Sequence, residues 1–132
     1  MIVLDTSGLF AALARDDKHH ADATTTLEGD QGPYVIPGGI LAEVGYMIET
    51  KLGAAVLDVF LEDLIDGAFA FDCSENDLPR IRELVGHYSD MPLGIADATV
   101  IACAERTKGR ILTFDRRDFG VVALEGRIEL VP

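Results

Sequence analysis

The chain has 132 residues, of which 48% are hydrophobic and 26% charged, so it is long enough for one domain with a buried core. Its 23 acidic and 11 basic residues give a formal net charge of −12, which excludes nucleic-acid binding through a generally basic surface. No apolar run approaches the roughly 20 residues of a membrane-spanning helix and no signal-peptide pattern is seen, so we expect a cytoplasmic protein, not a membrane protein, with free buried thiols at Cys73 and Cys103.

The first half of the sequence alternates strand patterns with helical patterns. Ile2 to Asp5 is typical of a short buried strand, and residues 8–15 follow at helical spacing with Thr6 or Ser7 as the cap. The next predicted elements are a helix over 20–28, a strand over 34–36, a helix over 40–52 that stops at Gly53, and a helix over 54–66.

The second half continues the alternation. Its predicted elements are a strand over 68–72, a helix that begins at 74–77, a buried helix within 94–109, a strand over 110–114 and a fifth short strand over 127–131. Strands that alternate with helices favour a parallel sheet with helices on both faces. The sequence therefore predicts a single α/β domain over residues 1–132 with a central, mainly parallel sheet of four to five strands.

Four carboxylates fall where an α/β sheet binds its ligands, at strand ends and helix starts. Asp5 ends the first strand and Asp115 ends the strand over 110–114, whereas Glu43 and Asp97 lie in the first turns of helices. Each acid has an ordinary structural alternative, because acids cap helices and favour first turns. Asp5 and Asp97 are surrounded by apolar residues, however, and acids are rarely buried without a partner.

Carboxylates that share one crevice repel one another unless a cation neutralises them. Mg²⁺ suits such a site, because it takes one or two direct carboxylates together with several waters, and Mn²⁺ has similar preferences. A bound ion of this kind could hold a phosphate oxygen and activate a water for in-line attack. It would also reverse the local field of a chain with a net charge of −12. The four acids therefore predict a divalent-metal site.

Four motifs, in order and spacing, resemble those of the PIN-domain ribonucleases, and more narrowly the VapC toxins of toxin–antitoxin pairs. They are VLDTSGLFAAL, the glutamate of LAEVGY, PLGIADATVIACAER and ILTFDRRDF, and together they cover nearly the whole chain, from Ile2 to Phe119. The resemblance implies a PIN-like three-layer α/β/α fold. It also implies Mg²⁺-dependent endonucleolytic cleavage of single-stranded or loop RNA, which leaves a 5′-phosphate and a 3′-hydroxyl.

The resemblance further implies a role for each acid. Asp5 and Asp97 would be direct Mg²⁺ ligands, and Glu43 and Asp115 would complete the acidic pocket through water or a second metal. Asp118 competes with Asp115 for the fourth position. We prefer Asp115 because it ends the strand directly, whereas Asp118 is predicted to lie out in the loop.

Smaller residues and partners are implied in the same way. Thr6, Ser7 and Thr113 resemble the hydroxyl residues that support the acids or the substrate phosphate. Arg116 could hold an RNA phosphate, although an arginine in a turn is more often merely solvated. VapC toxins pair with a small VapB-like antitoxin whose tail lies in an apolar groove, and many form homodimers.

Two other functions compete with ribonuclease activity as explanations of the acids. A phosphohydrolase that forms an aspartyl phosphate needs a second acid two residues after the first, and Ser7 occupies that position. A PIN-like domain without nuclease activity, acting only as a partner-binding module, remains the alternative. Retention of all four acids argues against it, because a silent module could lose them freely.

Overall fold

The computed structural model describes residues 1–91 and 93–132, so Pro92, which opens the third motif, lies outside the described residues. The described part forms one five-stranded sheet. Its strands are β1 (Ile2–Leu4), β2 (Tyr34–Pro37), β3 (Ala70–Asp72), β4 (Arg110–Leu112) and β5 (Leu130–Val131). They lie in the order β3-β2-β1-β4-β5, and every pairing is parallel. The predicted fold class is confirmed.

Seven α-helices connect the strands within the described ranges. They are α1 (Thr6–Leu13), α2 (His20–Glu28), α3 (Leu41–Leu52), α4 (Ala54–Asp66), α5 (Leu78–His87), α6 (Ile95–Thr107) and α7 (Arg116–Ala123). Two 3-10 turns, Gly38–Ile40 and Glu75–Asp77, lead into α3 and α5. None of the described helices combines the length and the apolar character needed to cross a membrane.

The order of the strands explains why helices cover both faces of the sheet. From β1 the chain moves outward through β2 to β3, with α1 to α4 as connections, and then crosses back to β4 through α5 and α6. Right-handed crossovers in opposite directions place these two sets of helices on opposite faces. The direction of winding reverses between β1 and β4, and ligands bind at the carboxyl ends of strands beside such a reversal.

The core is centred on β1 and α6. Every residue of β1 is fully buried, and α6 packs against β1, β2 and β4. The small side chains of α6, Ala98, Ala102 and Ala104, are buried and allow this close packing. The helix start that carries Asp97 is thereby held at the edge of the sheet where β1 and β4 end.

Some boundaries and environments differ from the prediction. Asp5 has the extended backbone of an N-cap residue, so α1 begins at Thr6, two residues earlier than expected. The fourth strand ends at Leu112, and the following segment, predicted as a turn, forms α7. Cys103 is buried as predicted, but the prediction of a buried thiol at Cys73 is wrong, because this residue follows the edge strand β3 and is exposed.

Gly8 allows α1 to pack directly on the end of β4. A Cβ atom at this position would lie 2.2 Å from the backbone oxygen of Leu112. We expect Gly8→Ala to lower the free energy of unfolding by about 2 kcal/mol, because the backbone must move apart to accept the methyl group. The measurement is equilibrium unfolding in urea.

Gly86→Ala in α5 is the matched control for this substitution. A Cβ atom at Gly86 meets nothing within 4 Å, so the change should stabilise the helix by about 0.5 kcal/mol. Equal effects of the two substitutions would contradict the close contact between α1 and β4.

Candidate active site

Asp5 lies between β1 and α1, and its side chain does not cap the helix. The residue is 5% exposed and occupies the N-cap position, but it makes no side-chain capping hydrogen bond. Its Oδ2 atom instead accepts hydrogen bonds from Ser7 Oγ at 2.9 Å and from Thr113 Oγ1 at 2.8 Å. The contact with Thr113, which belongs to a different part of the sheet, is not part of a helix cap.

Thr113 and Ser7 join the chain segment after β4 to the start of α1. Thr113 is fully buried, and its Oγ1 accepts the backbone N–H of Asp115 at 3.0 Å while it donates to Asp5. Ser7 Oγ accepts the backbone N–H of Phe114 at 3.0 Å. Each hydroxyl proton is directed to Asp5 and each hydroxyl oxygen accepts a backbone N–H. The two hydroxyl groups thus link the side chain of Asp5 to the backbone of the segment that carries Asp115.

The ionisation of Asp5 reflects two opposing effects. Burial raises the pKa of its carboxyl group above the ordinary value. The hydrogen bonds from Thr113 and Ser7 and the backbone N–H groups of Thr6 and Ser7 oppose this rise, because they stabilise the carboxylate. Burial is the larger effect, so the site favours a cation beside Asp5.

Asp97 lies within electrostatic reach of the other predicted acids. It lies in the first turn of α6 and is half-buried, and its pKa is raised to about 7. Burial is the largest cause, followed by the negative charges of Asp5, Asp115, Asp118 and Glu43. Charges act on a carboxyl group in this way only over a short range, so these acids lie near Asp97.

The individual acids enter this pocket from different elements. Asp115 is the N-cap residue of α7, and Glu43 lies in the first turn of α3, where its side chain is exposed. Asp118 lies in the first turn of α7, so its predicted loop position is wrong. Its Oδ1 atom is buried and has no hydrogen-bond partner among the described residues. Asp118 and Asp115 both act on Asp97, so Asp118 lies near the acids in addition to Asp115, where the sequence analysis treated the two as alternatives.

The carboxylates fit a hydrated divalent ion better than a closed metal centre. Across residues 1–91 and 93–132, no three His, Cys, Asp or Glu side chains are arranged to hold an ion by themselves. Mg²⁺ commonly takes one or two carboxylates and fills its other positions with water, so this arrangement suits it. Both side-chain hydrogen bonds to the Asp5 carboxylate, from Ser7 and Thr113, fall on Oδ2.

Two other predicted site residues have different surroundings. The guanidinium group of Arg116 donates a hydrogen bond to the backbone oxygen of Pro132, at the end of the chain. Thr6 is 6% exposed, and its Oγ1 atom has no hydrogen-bond partner in the part of the chain that the structure describes. The side chain of neither residue is seen to contact the acids, although the backbone N–H of Thr6 helps to stabilise the Asp5 carboxylate.

Comparison with known proteins identifies the family. The PIN domain model matches residues 2–124. The chain is a PIN-domain protein. Ribonuclease VapC26 of Mycobacterium tuberculosis is 29% identical to this PIN domain over 135 residues, which cover 99% of the chain and 100% of that protein.

Solved structures show the same fold. VapC20 of Mycobacterium tuberculosis, a toxin that cleaves the sarcin–ricin loop, matches this PIN domain with a TM-score of 0.83 and 16% identity over 100% of both chains. The VapBC2 complex of Rickettsia felis, bound to a DNA fragment from its promoter, contains a chain that matches with a TM-score of 0.70 and 17% identity. That match covers 98% of the PIN domain and 97% of the Rickettsia chain. At these identities the likeness concerns the fold.

Proposed function

We propose that this PIN domain is a divalent-metal-dependent endoribonuclease and the toxin of a toxin–antitoxin pair. The proposal rests on the buried Asp5 carboxylate at the carboxyl end of β1, which Ser7 and Thr113 hold in place, together with the nearby acids, which help to raise the pKa of Asp97 to about 7. Such a site is electrostatically unfavourable in a protein unless a cation binds there. The match to the PIN domain model and the similarity to Ribonuclease VapC26 support RNA cleavage as the reaction at this metal site.

In this proposal, Asp5 and Asp97 bind the ion directly, and Glu43 and Asp115 complete the pocket. When bound, the divalent ion supplies a Lewis acid for a phosphate oxygen and lowers the pKa of a bound water. Ser7 and Thr113 hold the Asp5 carboxylate in one orientation. The acids also repel RNA phosphates, so productive binding depends on the ion. Mg²⁺ and Mn²⁺ both match the oxygen donors.

Incubation of the purified protein with RNA tests this function. We expect cleavage with Mg²⁺ or Mn²⁺, loss of cleavage with a chelator, and 5′-phosphate and 3′-hydroxyl ends on the products. Binding of an antitoxin tail, without cleavage of any RNA by the partner-free protein, would instead identify a silent binding module.

We propose a VapB-like antitoxin as the partner that keeps the nuclease inactive. A groove of about 340 Å³ lies between α1, α2 and α4, with Leu13, Leu27 and Phe69 among its apolar residues. Glu28 and Asp63 also line it, so a tail with apolar and basic side chains would be complementary. Solved VapBC complexes contain chains of this fold. A homodimer stays a prediction, which sedimentation of the purified protein can test.

Thr113→Val tests whether the hydroxyl network supports the site. The substitution keeps the shape of the side chain but removes the donor to Asp5 and the acceptor for the Asp115 N–H. We expect the free energy of unfolding to fall by about 1–2 kcal/mol and the rate of RNA cleavage to fall about 10–100-fold. Thr113→Ser retains the hydroxyl and is the control. Equal cleavage rates for these two variants would show that the network does not orient the acids.

A further inference from the structure

A cavity of about 610 Å³ opens beside the candidate active site, and we call it the β2–β3 cavity. It lies at the carboxyl ends of β2 and β3 and is lined by Pro37, the 3-10 turn that follows it, the segment after β3, the start of α5 and one side of α6. Its volume is within the range of small-molecule sites and exceeds that of one nucleobase.

The 3-10 turn Gly38–Ile40 connects this cavity to the acidic pocket. A Cβ atom at Gly38 would lie 2.1 Å from Cys73 Sγ, and one at Gly39 would lie 2.6 Å from Thr99 Cγ2. The two glycines therefore let the turn touch both the segment after β3 and α6. The same turn leads into α3, and α6 carries Asp97 at its start. The β2–β3 cavity and the acidic pocket therefore share two neighbouring elements, α6 and the turn that leads into α3.

Two of the carboxylates that line the cavity form ion pairs, and a third forms none in the described part of the chain. Arg106 binds Asp77 through Nε at 2.8 Å and through its terminal nitrogen at 3.1 Å, and the same guanidinium group also binds Asp72. Glu75 is exposed and makes no ion pair within the described ranges. The cavity thus excludes phosphate by charge, and its free carboxylate accepts hydrogen bonds but donates none.

We propose that the β2–β3 cavity binds a guanine base next to the cleaved bond and that Glu75 determines this specificity; the inference rests on the proposed ribonuclease function. Guanine presents two adjacent donors, N1–H and the N2 amino group, which match the two oxygens of one carboxylate. Each of the other RNA bases offers a single donor group on its Watson–Crick edge. Single-stranded and loop RNA can turn such a base out of its stack and into a pocket. Pro37, Leu78 and Ile81 supply apolar contacts for the ring.

Cleavage of a random-sequence RNA pool, followed by sequencing of the product ends, measures this specificity. The wild-type protein should cut next to guanine, within one or two nucleotides of the cleaved bond. Glu75→Gln replaces one acceptor by a donor, so guanine enrichment should fall about tenfold. Glu62→Gln changes an exposed glutamate of α4 outside the cavity and should keep the wild-type enrichment. Circular dichroism of all three proteins excludes a folding defect.

A selected RNA then tests the contact itself. Replacing its guanosine by inosine removes the N2 amino group, whereas 7-deazaguanosine keeps the Watson–Crick edge. We expect inosine to slow cleavage by the wild-type protein about tenfold and to have little effect on Glu75→Gln, and we expect 7-deazaguanosine to be cut normally by the wild-type protein. Metal-dependent cleavage without guanine enrichment, or an inosine effect that persists in Glu75→Gln, would overturn the cavity assignment alone. Failure of the wild-type protein to cut any RNA would overturn the ribonuclease function as well.

Discussion

Asp97→Asn is expected to reduce the kcat/KM for RNA cleavage by at least about 10³-fold. The substitution removes a charged ligand from the proposed metal site but keeps the size of the side chain. A catalytic ion contributes several kcal/mol of transition-state stabilisation, and each 1.36 kcal/mol corresponds to about tenfold in rate. Initial rates on a fluorescent RNA, measured with saturating Mg²⁺, give the comparison. Asp58→Asn, at an exposed acid of α4 outside the site, should keep the wild-type rate.

The same substitution should stabilise the metal-free protein. At pH 8 the wild-type protein holds Asp97 ionised among Asp5, Asp115, Asp118 and Glu43, although its pKa is raised from 3.8 to about 7. This rise in pKa corresponds to about 4 kcal/mol, and solvent screening at a half-buried site reduces the expected gain in the free energy of unfolding to about 2 kcal/mol. A variant that loses both activity and stability would indicate a structural role for Asp97 instead.

Divalent metal should stabilise the protein at pH 8 much more than at pH 5. An acid with a raised pKa binds more protons in the folded state, so its contribution to the free energy of unfolding falls as the pH rises from about 4 to about 7. A bound cation removes this penalty at pH 8, whereas protons compete with it at pH 5. We expect saturating Mg²⁺ to raise the Tm by about 5 °C at pH 8 and by about 1 °C at pH 5.

Scanning calorimetry at the two pH values, with and without a chelator, tests this expectation. Asp97→Asn is the control, because its response to metal should be small at both values. A Tm increase that is equal at pH 5 and pH 8, or that KCl produces equally well, would show that the ion does not bind at the titrating acids. Parallel measurements with Mn²⁺ would compare the two ions directly.

Regular hydrophobic patterns made most of the fold predictable. The helices over 20–28 and 54–66 have the predicted bounds, because Gly29 and Gly67 follow them as stop signals. Strong alternation of strands and helices also predicted the parallel sheet. The helix α7 was missed, because only two of its residues, Phe119 and Val122, are buried and its first turn has the composition of a surface loop.

The candidate site was predictable only in part, because sequence patterns do not give the distances between residues that are far apart in the chain. Strand ends and helix starts identified Asp5, Glu43, Asp97 and Asp115 as a group. In the structure, the charges of Asp5, Glu43 and Asp115 act on Asp97. The place of Asp118 depends on α7, which the pattern did not reveal. The roles of these residues stay predictions until the substitutions are made.

The β2–β3 cavity had no signal in the sequence. It forms because Gly38 and Gly39 permit contacts with residues more than thirty positions away, and a pair of glycines after a proline indicates only a turn. The cavity therefore depends on contacts between distant residues that the sequence pattern does not indicate.

The hydrogen bond between Thr113 and Asp5 spans 108 positions of the chain. A ribosome that makes this protein adds Asp5 to the chain 108 residues before it adds Thr113. The nascent chain therefore carries Asp5 without the hydroxyl group that orients it. Strand β1 can pair with β4 only after β4 has been translated. The oriented Asp5 carboxylate, and with it the complete acidic site, can therefore form only after Thr113 and Asp115 have been translated.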